Sequence, residues 1–496
     1  MELGKILLKK NLATQEQIDM AVELQSRTGG RLGDCLVSLE VISEDQLNGI
    51  LNRAPRAPET LEEMGVSAGE LRKLMLKAMF AMEIKKVKHL VRLLKLQPRV
   101  VQALMDECVE DKLVEARGAD GGLASELRYA LTALGKERAA EALDACAYVG
   151  PAPVSLGAYA EQIKIQNITN EKISRQQVDT AFDGLVIASD FIDNIGPAVN
   201  SGRSILLYGP AGNGKSTVAE RVAQIFSNVI YIPYCFQVDG QIIKVFDPSL
   251  HVEIDRKDQA DAPTIRRDNV DRRWVACERP VVITGGELTL DMLDLQFNSL
   301  SRFYEAPLHV KALGGTFIID DFGRQQARPE DVLNRWIVPL QNRVDHMKLH
   351  SGKAFELPFD ELIIFSTNMK PADLMDPAFL RRIPYKLETP PPSKAQFQEI
   401  FLAAAEEAGL TIFEDDYAFM VEELLKRSGG QLHCYQPGFI VDQVLCACKF
   451  EDGKPEVRRD LLIRAIGNLF AEPSQPFDSL GVKERQAKVA EQAAVA

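Results

Sequence analysis

Residues 209–216 read Gly209-Pro210-Ala211-Gly212-Asn213-Gly214-Lys215-Ser216 and fill every fixed position of the pattern G-x-x-x-x-G-K-[ST]. The chemistry open to such a run is phosphate binding. Glycines let backbone N–H groups turn inward around phosphate oxygens, and a following helix N-terminus adds partial positive charge. Lys215 would reach the β- and γ-phosphates of a nucleotide, and the Ser216 hydroxyl would hold Mg²⁺. Gly209 through Thr217 are therefore the candidate contacts for a nucleotide.

Further polar groups stand at the ends of apolar runs. Thr316-Phe-Ile-Ile-Asp-Asp321 ends in two carboxylates. Asp320 suits the Mg²⁺ shell, and Asp321 suits polarisation of an attacking water. Glu361-Leu-Ile-Ile-Phe-Ser-Thr-Asn368 ends in an amide that can orient that water by hydrogen bonding. Asp376-Pro-Ala-Phe-Leu-Arg-Arg-Ile383 sets Arg381 and Arg382 at a helix end. A guanidinium there could be offered in trans to a neighbour's γ-phosphate, where charge builds in the transition state.

These groups need elements to hold them. Ser204–Tyr208 reads as a buried strand leading into the glycine loop, and Thr217–Phe226 has helical spacing after it. Residues 160–390 alternate strand-like and helical stretches, the pattern of an α/β domain with a parallel sheet. Residues 393–470 read as a helical lid. The tail, 472–496, is rich in Gln, Ala, Lys and Glu and reads as flexible.

At 496 residues and 55.1 kDa the chain should hold several domains. Its net charge of −13 disfavours nucleic acid and anionic membranes as partners of the whole protein. No stretch reaches the ~20 apolar residues of a membrane span. The first ten residues lack a secretory pattern, so the expected location is the cytoplasm. The eight cysteines are scattered, and Cys446-Ala-Cys448 has no second pair to complete a zinc site.

Two modules precede the α/β region. Within residues 1–53, the stretch from Leu3 to Ile18 recurs from Leu32 to Leu47, with Thr14 and Ser43 at equivalent places. Each copy reads as a short helix, a turn and a capped second helix. Asn52–Thr60, with two prolines, reads as a linker. Residues 66–148 read as three helices and two short strands around a Gly-rich turn, an α+β winged-helix module. Its third helix, over Arg99–Asp111, carries Asp106, Glu107, Glu110 and Asp111 against one arginine, the wrong sign for DNA phosphates.

The order of phosphate loop, Asp-Asp strand, Asn-tipped strand, Arg-Arg helix and helical lid resembles the AAA+ ATPase superfamily. The resemblance spans roughly residues 160–470. It implies that Asp320 and Asp321 are the Walker B pair, Asn368 is sensor 1, and Arg381 or Arg382 is the arginine finger. It also implies that Phe182–Ile187 packs around adenine, and that the chain forms a homo-oligomeric ring, usually a hexamer, which remodels a macromolecular partner. Pro280–Leu288, Ile319–Gln325 and Asn334–Leu340 look like a bacterial subgroup of ATPases with chaperone-like activity.

Three departures qualify the pattern. Asp321 stands where Glu is common, which implies slow turnover. Cys434-Tyr-Gln-Pro-Gly-Phe-Ile440 has no arginine where a sensor 2 is expected. Ile230–Phe246 is an insertion that reads as a hairpin around Asp239-Gly240, its aromatics assigned to core packing. The N-terminal repeat, for its part, resembles the N-terminal domain of type II secretion and type IV pilus assembly ATPases. Some of those bind cyclic di-GMP through R-L-G repeats. Copy two supplies Arg31-Leu32-Gly33, but copy one has Glu2-Leu3-Gly4, so protein docking is the favoured role. Two rivals to a ring ATPase stay open: a nucleotide-gated binding scaffold with little hydrolysis, and a DNA-associated AAA+ regulator.

Overall fold

The computed structural model describes residues 7–8, 12–28, 32–43, 54–119, 127–254, 270–451 and 454–471. Arg31, Glu2-Leu3-Gly4, the Gly-rich turn at 120–126 and the tail 472–496 lie outside the described residues.

The sheet that positions the site has five strands: β1 (Ile205–Tyr208), β2 (Val281–Thr284), β3 (Thr316–Ile319), β4 (Leu362–Thr367) and β5 (Tyr385–Glu388). Their spatial order is β5-β1-β4-β3-β2, and every neighbouring pair is parallel. The expected parallel α/β sheet is therefore present. Register aligns the strand ends: Tyr208 lies opposite Thr367 and Glu388, and Ile319 opposite Phe365 and Thr284. The polar residues that follow β1, β3 and β4 thus leave the sheet at one edge.

Parallel strands need crossovers and are covered on both faces, which is why β3 and β4 are buried along their whole length. The pleat sends alternate side chains to opposite faces. Ile205, Leu207, Ile318 and Ile364 share one core with Ile195, Val199, Val218 and Val222. Leu206, Phe317, Ile363 and Phe365 share the other with Trp336 and Phe359. Helix α1 (Lys215–Gln224) packs on the first face, and α2 (Pro329–Asn342) carries Trp336 to the second.

Residues 230–246 differ from the sequence expectation. Cys235–Val238 and Gln241–Lys244 do form an antiparallel hairpin around Asp239 and Gly240, both at positive φ. Ile230–Pro233 leaves it and pairs with Trp274–Cys277 instead. The break falls at Tyr234, whose N–H donates to Arg273 O at 3.0 Å. Phe236 is fully buried against Tyr159 and Phe355, so this aromatic serves core packing.

Upstream, helices Ala68–Ala81, Val87–Leu94 and Pro98–Glu110 and an antiparallel ribbon, Val114–Ala119 with Leu127–Leu131, share one apolar core. The first helix begins at Ala68, because Ser67 accepts from Glu70 N and caps it there. In the third helix the acids are partly matched: Arg72 pairs with Asp111 at 2.6 Å and with Glu107 at 3.6 Å.

At the chain's start, Thr14 and Gln17 exchange hydrogen bonds in a capping box that opens helix Gln15–Thr28. Leu32 is buried with Leu7, Ile18 and Leu36. Four helices over 394–469 close around Phe397, Phe401, Leu424 and Val444. One of them, α3 (Tyr435–Phe450), returns to the sheet edge. Among the described residues, no helix is long and apolar enough to cross a membrane.

Candidate functional site

The loop between β1 and α1 is shaped by close approaches. A Cβ on Gly209 would lie 2.5 Å from the carbonyl oxygen of Thr389, just beyond β5. At Gly212, with φ +75°, a Cβ would lie 2.2 Å from Cδ1 of Tyr435. These two positions need glycine for space as well as for backbone freedom. Lys215 is buried, and its ammonium donates to the carbonyls of Gly209 at 3.1 Å and Pro210 at 2.8 Å. Burial pulls its pKa below the ordinary lysine value, while Asp321 and Asp320 act in the opposite sense.

The edge of β3 lies against the start of α1. Ser216 Oγ donates to Asp320 Oδ2 at 2.6 Å, and the Asp321 N–H donates to Asp320 Oδ1 at 3.0 Å. Asn368 Nδ2 then donates to Asp321 Oδ1 at 2.9 Å. Four residues from three separate sequence stretches thus join in one hydrogen-bonded line beside Lys215. Asp321 sits at φ +48°, a left-handed conformation that aspartate tolerates better than most residues.

Sequence reasoning missed what holds that turn. Gln325 Nε2 donates to the carbonyls of Asp320 at 2.9 Å and Asp321 at 3.2 Å, and its Oε1 accepts from Gly323 N at 2.8 Å. Phe322 is tied to the neighbouring strand through Ser366 O at 2.6 Å and Thr367 Oγ1 at 2.7 Å. A glutamine four residues beyond an Asp-Asp pair carries no signal of its own in a single sequence.

Two hard oxygen donors, the Ser216 hydroxyl and an Asp320 carboxylate oxygen, stand 2.6 Å apart. That set is too small for an all-protein cage, and no group of three His, Cys, Asp or Glu side chains could hold a metal among the described residues. It does fit Mg²⁺, which keeps waters and takes substrate phosphates as its other ligands.

Arg381 and Arg382 are not brought to this edge. Asp376 caps the short helix Pro377–Leu380 by accepting from Phe379 N at 2.9 Å. Arg382 is half-buried and donates to Ala378 O at 2.8 Å, whereas Arg381 is exposed. Both line a cavity of about 980 Å³ together with Arg203, Ser204 and Pro384. Those three residues immediately precede β1 and β5, so the cavity lies at the N-terminal strand ends, across the sheet from the phosphate loop.

The start of α3 is seated on the phosphate loop. Tyr435 N donates to Gly212 O at 3.0 Å, and Cys434 N to Asn213 Oδ1 at 3.4 Å. Gln436, next in the chain, is fully buried. Phe182 is buried in the core beside Val218 of α1.

A family model described as a domain of unknown function (DUF8689) matches residues 393–468, the four-helix unit. No curated protein matches the chain. Among solved structures the chain is similar to NtrX from Brucella abortus, with 16% identity and a TM-score of 0.34. That match covers 62% of this chain and 60% of the NtrX chain, less than two thirds of the latter's length. It is also similar to RuvB from Thermotoga maritima, a Holliday junction branch migration motor, with 17% identity, a TM-score of 0.32, and coverage of 61% and 73%. The order of the parallel sheet and the contact between the glycine loop and the end of β3 are set by strand pairing and side-chain geometry.

Proposed function

We propose that this protein binds and hydrolyses ATP as an AAA+ ATPase that works as a homo-oligomeric ring. The observation that carries the reading is the line Ser216–Asp320–Asp321–Asn368 beside Lys215, at the mouth of the phosphate loop. Strand order β5-β1-β4-β3-β2, with a four-helix unit returning to the loop, supports it.

In the mechanism, the loop amides and Lys215 hold the β- and γ-phosphates and offset their charge. Lys215 exchanges its two loop carbonyls for phosphate oxygens as ATP enters. Bound Mg²⁺, held by Ser216 and Asp320, would supply electrostatic neutralisation of the phosphates. Asp321 accepts a hydrogen bond from the attacking water, and Asn368 fixes the carboxylate in place. Water oxygen bonds to the γ-phosphorus as the bond to the β,γ-bridging oxygen breaks, the water's proton passes by way of Asp321 to a phosphate oxygen, and ADP and phosphate leave. Arg381 and Arg382 lie across the sheet, so a guanidinium at the γ-phosphate would come from a second copy.

A second reading keeps ATP binding but makes hydrolysis incidental. It draws on the short reach of Asp321, already engaged by Asn368, and on the lack of arginine in Cys434–Ile440. Steady-state ATPase activity against protein concentration separates the two. Specific turnover that rises with concentration and vanishes in Asp321→Asn supports the ring ATPase. Tight ATP binding with turnover indifferent to both leaves the scaffold. The helical modules before residue 150 are assigned to partner docking, supported by the acid-rich third helix and by burial of Leu32 in the core.

A further inference from the structure

The 980 Å³ cavity at the foot of the sheet holds more cations than the arginine pair. Lys164, Arg203 and Arg343 line it as well, against two acids, Glu356 and Asp360. Glu356 also lies 3.4 Å from His346. In a protein of net charge −13, such a concentration of positive charge in one concavity attracts anions to it.

Arg343 is the built element of the cavity. It ends α2 in the left-handed region at φ +58°, and its backbone is fixed on both sides. Its N–H donates to Pro339 O at 2.9 Å, and its carbonyl accepts from Phe359 N at 2.9 Å. Beneath it Asp360 is 2% exposed. One Asp360 oxygen accepts from Ile168 N at 3.1 Å, while Oδ1 has no hydrogen-bond partner and lies 3.7 Å from Arg343 Nη2. The carboxylate therefore orients the guanidinium without closing a hydrogen bond on it, leaving donors free to face the cavity. Arg382 Nε is buried and also lacks a partner.

We propose that this cavity is a phosphate-binding site with Arg343 as its anchoring cation. Guanidinium forks match phosphate oxygens two at a time, and five cations against two acids suit a multiply charged group better than a single carboxylate. The volume lies in the range of small-ligand sites, about 300–1,000 Å³. The phosphates have two possible sources: a nucleotide seated in the phosphate loop of a second copy, or a free polyphosphate. The first source rests on the ring reading above; the second does not.

Two arms test it. In the first, inorganic tripolyphosphate is titrated calorimetrically into Lys215→Ala protein, whose phosphate loop is disabled. Binding that falls tenfold or more in Lys215→Ala/Arg343→Met, and is largely kept in Lys215→Ala/Arg343→Lys, assigns the site to a free anion. In the second, Arg343→Met protein, with its phosphate loop intact, is mixed with Lys215→Ala protein, with its cavity intact. Turnover in the mixture above the sum of the separate proteins assigns the site to a neighbour's nucleotide. Thermal unfolding of each variant reports whether it is folded, and the lysine variant keeps the charge if methionine disturbs α2. No tripolyphosphate binding to Lys215→Ala, together with parental turnover in Arg343→Met at every concentration, overturns the proposal. That result leaves the phosphate-loop reading intact, because loss of ATP binding in Lys215→Ala tests it separately.

Discussion

Asn368 and Asp321 meet side chain to side chain, amide nitrogen to carboxylate oxygen, at 2.9 Å. They come from the ends of adjacent parallel strands, β4 and β3, held in register by the pairs Thr316–Leu362 to Ile319–Phe365. In the proposed mechanism the second Asp321 oxygen is then the acceptor for the attacking water. Asp321→Asn replaces that acceptor with an amide and should lower kcat by about 10²–10⁴-fold, the usual yield of a positioned base. ATP affinity should stay near parental, since Lys215 and Ser216 are untouched. Asn368→Ala should cost less, because the carboxylate remains and only its orientation is lost. Single-turnover rates beside equilibrium ATP binding check both, and a variant that loses affinity and rate together contradicts the division of roles.

Lys215 is buried, yet its donors rest on two carbonyls of its own loop. Truncation to Lys215→Ala removes the cation that phosphate needs and strands those carbonyls. ATP binding should fall below detection by calorimetry while the fold, read by circular dichroism, persists. Retained binding would mean that the glycine loop is only a turn.

Glu361 gives the pH dependence a clear sign. It is fully buried immediately before β4, and both carboxylate oxygens lack a hydrogen-bond partner. Burial pushes its pKa well above the ordinary glutamate value, with Arg343 opposing and Asp360 and Asp345 reinforcing. The folded chain keeps this proton while the unfolded chain releases it above about pH 4.3. Its contribution is therefore full below that pH and is lost as pH rises toward the folded pKa, at up to about 1.4 kcal/mol per pH unit. Glu361→Gln should flatten this decline, so that the variant gains stability relative to the parent as pH is raised from 5 to 8. Denaturant unfolding at a series of pH values measures it, and parallel curves for the two proteins would refute the assignment.

The chemistry-bearing strand ends were legible in the sequence because each is an apolar run stopped by a polar residue, and parallel strands are buried on both faces. Ile318 and Ile364 read as core for that reason, and Asp320 and Asn368 as edge. Less legible was anything that depends on which distant segments meet. The split at Tyr234 depends on Trp274–Cys277 offering a second partner for Ile230–Pro233. Gln325 acts through main-chain carbonyls five and four residues back, and Arg343 acquires its setting from Phe359 and Asp360 at the far end of the hairpin 344–358 that it opens. The phosphate-loop glycines carry the same lesson. Their spacing named the loop, but only the fold shows that Gly209 faces Thr389 and Gly212 faces Tyr435.

That last contact links the four-helix unit to the nucleotide loop and can be tested by removing either side of it. A methyl on Gly212 would enter the Tyr435 ring and would also strain a backbone at φ +75°. The ring belongs to the first turn of α3, whose N–H groups at Tyr435 and Cys434 bond the same loop, so displacing it tilts the helix away from the phosphates. Gly212→Ala should therefore weaken ATP binding by about tenfold or more, roughly 1.4 kcal/mol upward. Tyr435→Ala alone removes a half-exposed ring and should cost little in stability. In Gly212→Ala/Tyr435→Ala the clash is gone, and only the backbone penalty of roughly 1–2 kcal/mol remains. The double variant should thus bind ATP more tightly than Gly212→Ala, a positive coupling between the two positions. Calorimetric affinities for the four proteins complete the cycle, and additive losses would show that the ring does not seat α3 on the loop.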